Sequence, residues 1–291
     1  MKKSLMTFAR RLWTTSPQDY WQYLTDRRSP NYSWRSPKLR YWTYLPYYLQ
    51  LFERCAGLAG VRLDWLRANV LEIGAGPNLG FIPFVILNGS TTCTISEPRY
   101  REVRHLREFT NNYLFELYSQ HSCYLGRSTI NFDCFASQIE CTKVIPTRIE
   151  DASPPGHPYS IVLSKSCLDH VIDIHRFVDV THGSSLPGSL HLHWLDFTSN
   201  QDRECGTPFG KLYEHAKADS PEYNTSPEKG FLNLLRASEV IEAFRTRFEA
   251  VCFYPTVDFA GRISLDSVHA DWAKYPESDL SIAAGVLVAV R

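Results

Sequence analysis

Residues 71–80 read LEIGAGPNLG and stand between apolar runs at 68–71 and 81–87. Glycines at the end of an apolar run mark a tight turn or a backbone that approaches a ligand closely. Gly74, Gly76 and Gly80 are spaced GxGxxxG, one residue longer than the GxGxxG of dinucleotide-binding loops. No Gly-Lys-Ser/Thr follows to make a phosphate loop. Glu72 stands two residues before the first glycine. A carboxylate repels a pyrophosphate but favours a ligand with an ammonium or a sulfonium. A second acid, Glu97, lies in the run TISEP at 94–98. At the end of a second strand, two carboxylate oxygens with no donor of their own can accept both hydroxyls of a ribose. The two motifs together ask for a nucleoside with a ribose, a cationic tail and no phosphate requirement. S-adenosylmethionine meets all three.

These residues need elements to hold them. From residue 68 the apolar pattern predicts strands at 68–73, 91–96, 142–146, 159–164, 189–197, 249–254 and 282–290. It predicts helices at 78–88, 98–118, 168–181 and 231–248, the second opened by Pro98 in a first turn. Leu168, Val171, Ile172 and Val178 share one helical face, as do Leu232, Leu235, Val240, Ile241, Phe244 and Phe248. Residues 121–140 show no clear period. Alternating strands and helices imply a parallel sheet covered on both faces. The last two strands, with no clear helix between them, suggest an antiparallel hairpin. Residues 198–230 are polar, contain Pro208, Pro221 and Pro227, and are too long for a plain loop. They read as a lid or a substrate-facing insertion. Residues 1–67 read as a helical extension or lid, broken at Ser29-Pro30 and Ser36-Pro37. The expected division is thus 1–67, then 68–291 with its insertion.

LEIGAGPNLG followed by TISEP resembles the first two motifs of class I S-adenosylmethionine-dependent methyltransferases. YSIVLSKSCLDHV at 159–171 is similar to the fourth-strand motif of that family, and LPGSL at 186–190 to its turn before the fifth strand. The resemblance covers about residues 68–197. It implies a doubly wound, mostly parallel, seven-stranded Rossmann-like sheet with its last strand antiparallel, S-adenosylmethionine as cofactor, and methyl transfer. It places Glu72, Gly74, Ala75, Gly76 and Glu97 on the cofactor, Ile149 against the adenine, and Ser164 and Lys165 along the methionine end. Many members set an aspartate against the adenine amine; here that position is Arg148, with Glu150 and Asp151 following. HWLDF at 193–197 and LNLLR at 232–236 are similar to a subset found beside sugar- and polysaccharide-building enzymes.

Methyl transfer is an in-line displacement, so the protein supplies alignment and, for an alcohol, a proton acceptor. His170 follows the fourth strand, and a histidine titrates near working pH. His170, Asp169 and Asp196 are the candidate catalytic residues. Plainer readings stand beside each. Glu72 suits a cap for the following helix, Glu97 a strand-end surface acid, and Lys165 a solvated loop residue. Asp169 and His170 suit a helix-capping pair. His191 and His193 suit buried, hydrogen-bonded core histidines.

The 291 residues are 44% hydrophobic and 21% charged, an ordinary globular composition. Lysine plus arginine equals aspartate plus glutamate, 31 each, so no global field draws the chain to nucleic acid. The eight cysteines form no CxxC pair and no zinc-spaced cluster, and read as reduced thiols with no metal site. No apolar run reaches the length of a signal peptide or a membrane span; a cytoplasmic protein is expected. The basic, aromatic-rich first fifty residues suit a lid, a partner or homodimer surface, or an RNA-contacting arm. The expected function is methyl transfer to a small molecule, first of all to an oxygen on a sugar or a secondary metabolite. The rivals are an RNA or protein methyltransferase and a non-catalytic nucleoside-binding interaction module.

Overall fold

The computed structural model describes residues 37–75, 79–98, 114–115, 117–119, 121, 130–152, 158–198, 233–261, 263, 266 and 268–291, with side chains in the first helix from residue 45. Its strands are β1 (Asn69–Ile73), β2 (Thr92–Ser96), β3 (Lys143–Ile145), β4 (Tyr159–Lys165), β5 (Ser185–Asp196), β6 (Ala250–Asp258) and β7 (Ile282–Val290). They form one sheet in the order β3-β2-β1-β4-β5-β7-β6. β1 to β5 pair in parallel, and β7 runs antiparallel between β5 and β6. The strand order reverses between β1 and β4. An open α/β sheet places its ligand in the crevice outside the carboxyl ends at such a point. This is the doubly wound, mostly parallel, Rossmann-like sheet that the sequence implies.

Neighbouring residues of each strand point to opposite faces, and both faces are covered. Val70, Ile95, Ile161 and Leu163 pack under α1 (Pro37–Leu58), α2 (Ile82–Leu87) and α3 (Phe132–Glu140), with Phe52, Phe84 and Phe135 filling the layer. Leu71, Ile73 and Val162 pack on the other side under α4 (Ile174–Gly183) and α5 (Ala237–Arg245), with Phe177 and Phe244. A central strand wet on neither face reads as an unbroken apolar run, as β7 does in IAAGVLVAV. α1 buries Leu45, Leu49 and Phe52 in the same core as the sheet. No helix among the described residues is long and apolar enough to cross a membrane.

Several elements depart from their expected bounds. The helix expected at 168–181 is a single 3₁₀ turn, Leu168–His170, followed by α4. Asp173 starts α4 by accepting from the Arg176 N–H at 3.0 Å. The apolar period hid this break because Leu168 and Val171 enter the same core as Ile174 and Phe177. The helix expected at 231–248 runs only from Ala237 to Arg245, with Arg236 at its N-cap and residues 233–236 outside it. Residues 121–140 contain α3, capped where Asn131 accepts from the Cys134 N–H at 2.9 Å. β5 begins early, at Ser185, and bulges through 186–189 before Leu190 meets Ile161. β6 and β7 pair antiparallel as expected, but joined through the short α6 (Glu277–Leu280). The expected insertion, most of helix 98–118, and residues 1–36 lie outside the described residues.

Candidate active site

The crevice begins where β1 ends. Gly74 has φ +74° and donates its N–H to the Ser96 carbonyl at the end of β2. A Cβ at Gly74 would lie 2.8 Å from both Cβ and Sγ of Cys167. The loops after β1 and β4 therefore touch, and only a glycine allows both the turn and the contact. Gly80 serves the other end of the loop: a Cβ there would lie 1.9 Å from Oε1 of Glu72.

Glu72 is buried on β1 and accepts from the Phe81 N–H with both oxygens, at 3.0 and 2.8 Å. Phe81 is the N-cap residue of α2. The carboxylate thus ties the far end of the glycine loop back to its strand. Burial pushes the carboxyl up to about 8, against the lowering pull of the Phe81 and Ile82 N–H groups and with a further push from Glu97. Ala75 is buried beside it; Gly76 lies outside the described residues.

Glu97 is 8% exposed at the end of β2, where its N–H donates to the Ile145 carbonyl at 3.1 Å. Ser96 Oγ donates to the Thr147 carbonyl at 3.0 Å. Together these bonds tie the end of β2 to β3 and to the segment leading into the 3₁₀ turn Ile149–Asp151, in which Ile149 is buried. Arg148 caps that turn, and its Nη1 has no hydrogen-bond partner among the described residues. Glu150 is buried and accepts from the Ile172 N–H at 3.2 Å, tying this turn to the segment after β4.

The two residues expected along the methionine end point to opposite faces of β4. Ser164 is fully buried and shares a 2.8 Å hydrogen bond with His193 Nδ1, so its hydroxyl faces β5. Lys165 is half-buried, with its ammonium 4.9 Å from the ring centres of both Tyr48 on α1 and Trp194 on β5. Its Nζ donates to Ser166 Oγ at 3.1 Å, and Ser166 takes φ +47°. A non-glycine residue in this region marks a backbone held by its surroundings.

His170 Nε2 lies 3.6 Å from Asp169 Oδ2 and the imidazole is 47% exposed. Asp196 is nearly buried, and its Oδ1 accepts from Thr198 N and Oγ1 at 3.0 and 2.6 Å; it closes the turn after β5. His191 and His193 are the core histidines of the plainer reading. His191 shares a 2.9 Å hydrogen bond with Ser185 Oγ, and His193 packs on Phe177 and Phe244. Burial lowers the first well below the usual imidazole range and the second to about 3.

Two participants escaped the sequence reading. Cys167 stands where the loop after β4 meets Gly74, just before the turn Leu168–His170. Burial, and after it Asp169, Glu97, Glu150 and Glu72, hold its thiol well above its ordinary value. Asn233 reaches the turn after β4 from α5's approach segment. The first lay within the fourth-strand motif and the second within LNLLR, but neither type advertised its role.

No family model matches the chain, and no curated protein matches it. Solved structures do. The chain is similar to an S-adenosylmethionine-dependent methyltransferase from Mesorhizobium loti, at 11% identity over 81% of this chain and 96% of that one, with a TM-score of 0.43. It is similar to an O-methyltransferase family protein from Burkholderia thailandensis, at 14% identity over 85% and 58% of the two chains, TM-score 0.43. It is also similar to the N-methyltransferase NodS from Bradyrhizobium japonicum, at 13% identity over 77% and 85%, TM-score 0.38. Likeness at this level says nothing about what this chain binds or modifies.

The chemistry open to the crevice follows from its charges. Acids on β1, at the end of β2 and in the turns after β3 and β4 all act on the Cys167 thiol, while Lys165 at the end of β4 lies 4.9 Å from the ring centres of Tyr48 and Trp194. Burial favours the neutral form of such acids, and a cation placed beside them favours the charged form. Among the described residues no group of His, Cys, Asp or Glu is arranged to hold a metal ion.

Proposed function

We propose that the chain is an S-adenosylmethionine-dependent methyltransferase acting on a small molecule, with an oxygen of a sugar or a secondary metabolite as the first acceptor to test. The observation that carries this reading is the meeting of the loops after β1 and β4 at Gly74 and Cys167, with Glu97 at the end of the neighbouring β2, where the strand order reverses. A ligand with a cationic tail would offset the acids Glu97, Glu150 and Asp169 near this turn. In this reading Glu97 accepts the ribose hydroxyls, Ile149 lies under the adenine, and Glu72 shapes the loop from behind. The bound cofactor supplies a methyl group on a sulfonium. His170, exposed and backed by Asp169, takes the proton of an acceptor hydroxyl. Lys165, Tyr48 and Trp194 wall the acceptor side.

Calorimetric titration with S-adenosylmethionine and S-adenosylhomocysteine, beside Glu97→Ala, tests the cofactor. Micromolar binding, weakened at least about tenfold (~1.4 kcal/mol) in the variant, is expected. No heat with either ligand overturns the assignment. Binding without turnover on any acceptor would favour a non-catalytic nucleoside-binding module. Salt-dependent binding to polyanions would favour an RNA acceptor.

A further inference from the structure

We propose that Asn233 is a positioning residue that fixes the turn bearing Asp169 and His170; its importance for catalysis rests on the function proposed above. The turn has little to hold itself. Within it the His170 N–H reaches the Cys167 carbonyl at 3.0 Å, and the Val171 N–H reaches Leu168 at 3.3 Å. Such short 3₁₀ pieces have poor internal hydrogen-bond geometry. Asn233 braces it from outside with three hydrogen bonds. Asn233 donates its backbone N–H to the Asp169 carbonyl at 2.8 Å. Its Nδ2 donates to the Leu168 and Val171 carbonyls at 2.6 and 2.9 Å. Its Oδ1 accepts from the Leu235 N–H at 3.1 Å. Asn233 is 7% exposed, so its side-chain donors have little access to water in exchange.

The clamp is itself anchored. Leu234 adopts φ +52°, a conformation a leucine takes only when its neighbours hold it. Arg236, 3% exposed, donates through Nη2 to the carbonyls of Asp279, Leu280 and Ile282, at 2.7, 3.0 and 2.8 Å. Residues 233–236 are therefore a crosspiece. One end grips the turn after β4, and the other grips the entrance to β7. An alanine at 233 would keep the backbone bond but take the amide donor from both carbonyls, leaving that of Leu168 only the longer bond from the Val171 N–H. An aspartate would set a charge against them.

The test compares the full chain with Asn233→Asp and Asn233→Ala. Amide-exchange protection of His170 and Val171 is read against Val240 in α5, and the dissociation constant of S-adenosylhomocysteine is measured alongside. We expect protection at His170 and Val171 to fall at least about tenfold in both variants, with Val240 within about twofold. As pH falls, the aspartate variant should regain protection, because its protonated acid can donate to one carbonyl; the alanine variant should not. Asn233→Ala introduces no buried charge and carries the test if the aspartate variant fails to fold. Unchanged protection at the turn, or an even loss across the chain, overturns the inference. Failure of the wild-type chain to bind S-adenosylhomocysteine would count against the proposed function, while protection at the turn still decides the role of Asn233.

Discussion

Glu72 carries a proton at neutral pH, because burial holds its carboxyl at about 8. A carboxyl raised in this way stabilises the folded chain fully below its ordinary pKa near 4.5 and loses that contribution as pH rises through about 8. Wild type should therefore lose on the order of a few kcal/mol between pH 5 and pH 8.5 that Glu72→Gln retains; urea denaturation at the two pH values measures it. An arriving cation should also expel the proton. Calorimetry at pH 7.5 in two buffers of different ionisation heat should show more proton release with the sulfonium of S-adenosylmethionine than with neutral-sulfur S-adenosylhomocysteine, and Glu72→Gln should abolish the difference. The sequence displayed an acid beside glycines and hence a site. It did not display the acid's partner, because the Phe81 N–H reaches Glu72 only once the loop has closed. Ser164 carried a similar ambiguity: residue type allowed a site role, and the facing His193 claimed its hydroxyl.

At the scale of elements, strands were easier to read than helices. β7 appears at the expected bounds because an apolar run buried on both faces has no other reading of that length. The 168–181 stretch misleads because apolar spacing records which residues meet the core, not whether the backbone between them stays helical. The break is set by Asp173, whose side chain competes for the first free N–H of α4. Asp173→Ala should lower stability by about 1 kcal/mol, read as a fall in thermal midpoint, while leaving S-adenosylhomocysteine affinity within about twofold. Arg236 shows the opposite problem. An arginine at a helix start looks solvated, yet Arg236 is buried and donates to three carbonyls of α6 and β7.

Across the whole molecule, balanced charge conceals an uneven distribution. The chain is neutral overall, but four of its acids, Glu72, Glu97, Glu150 and Asp169, gather near the carboxyl ends of β1 to β4, and all four act on the Cys167 thiol. No composition reading can find that gathering, since it depends on strand order. The strand order also brings α1 to Lys165 through Tyr48, joining a helix far upstream to the centre of the sheet. Lys165→Met keeps most of the stem's packing and removes the charge between the two rings. It should cost about 1 kcal/mol of stability, with Tyr48→Leu adding less in the lysine variant than in wild type, as a double-mutant cycle reads it.

The place of β7 has a consequence for biosynthesis. β6 is made first, yet its neighbour in the sheet is β7, and β7 alone links it to β5. While the ribosome is still translating residues 259–281, β6 has no strand to pair with. The nascent chain can assemble β1 to β5 early, but it carries an open, largely apolar edge at β5 and an orphan strand behind it until residues 282–290 emerge. Chains arrested in that interval should be the ones that chaperones hold and that aggregate when chaperones are scarce.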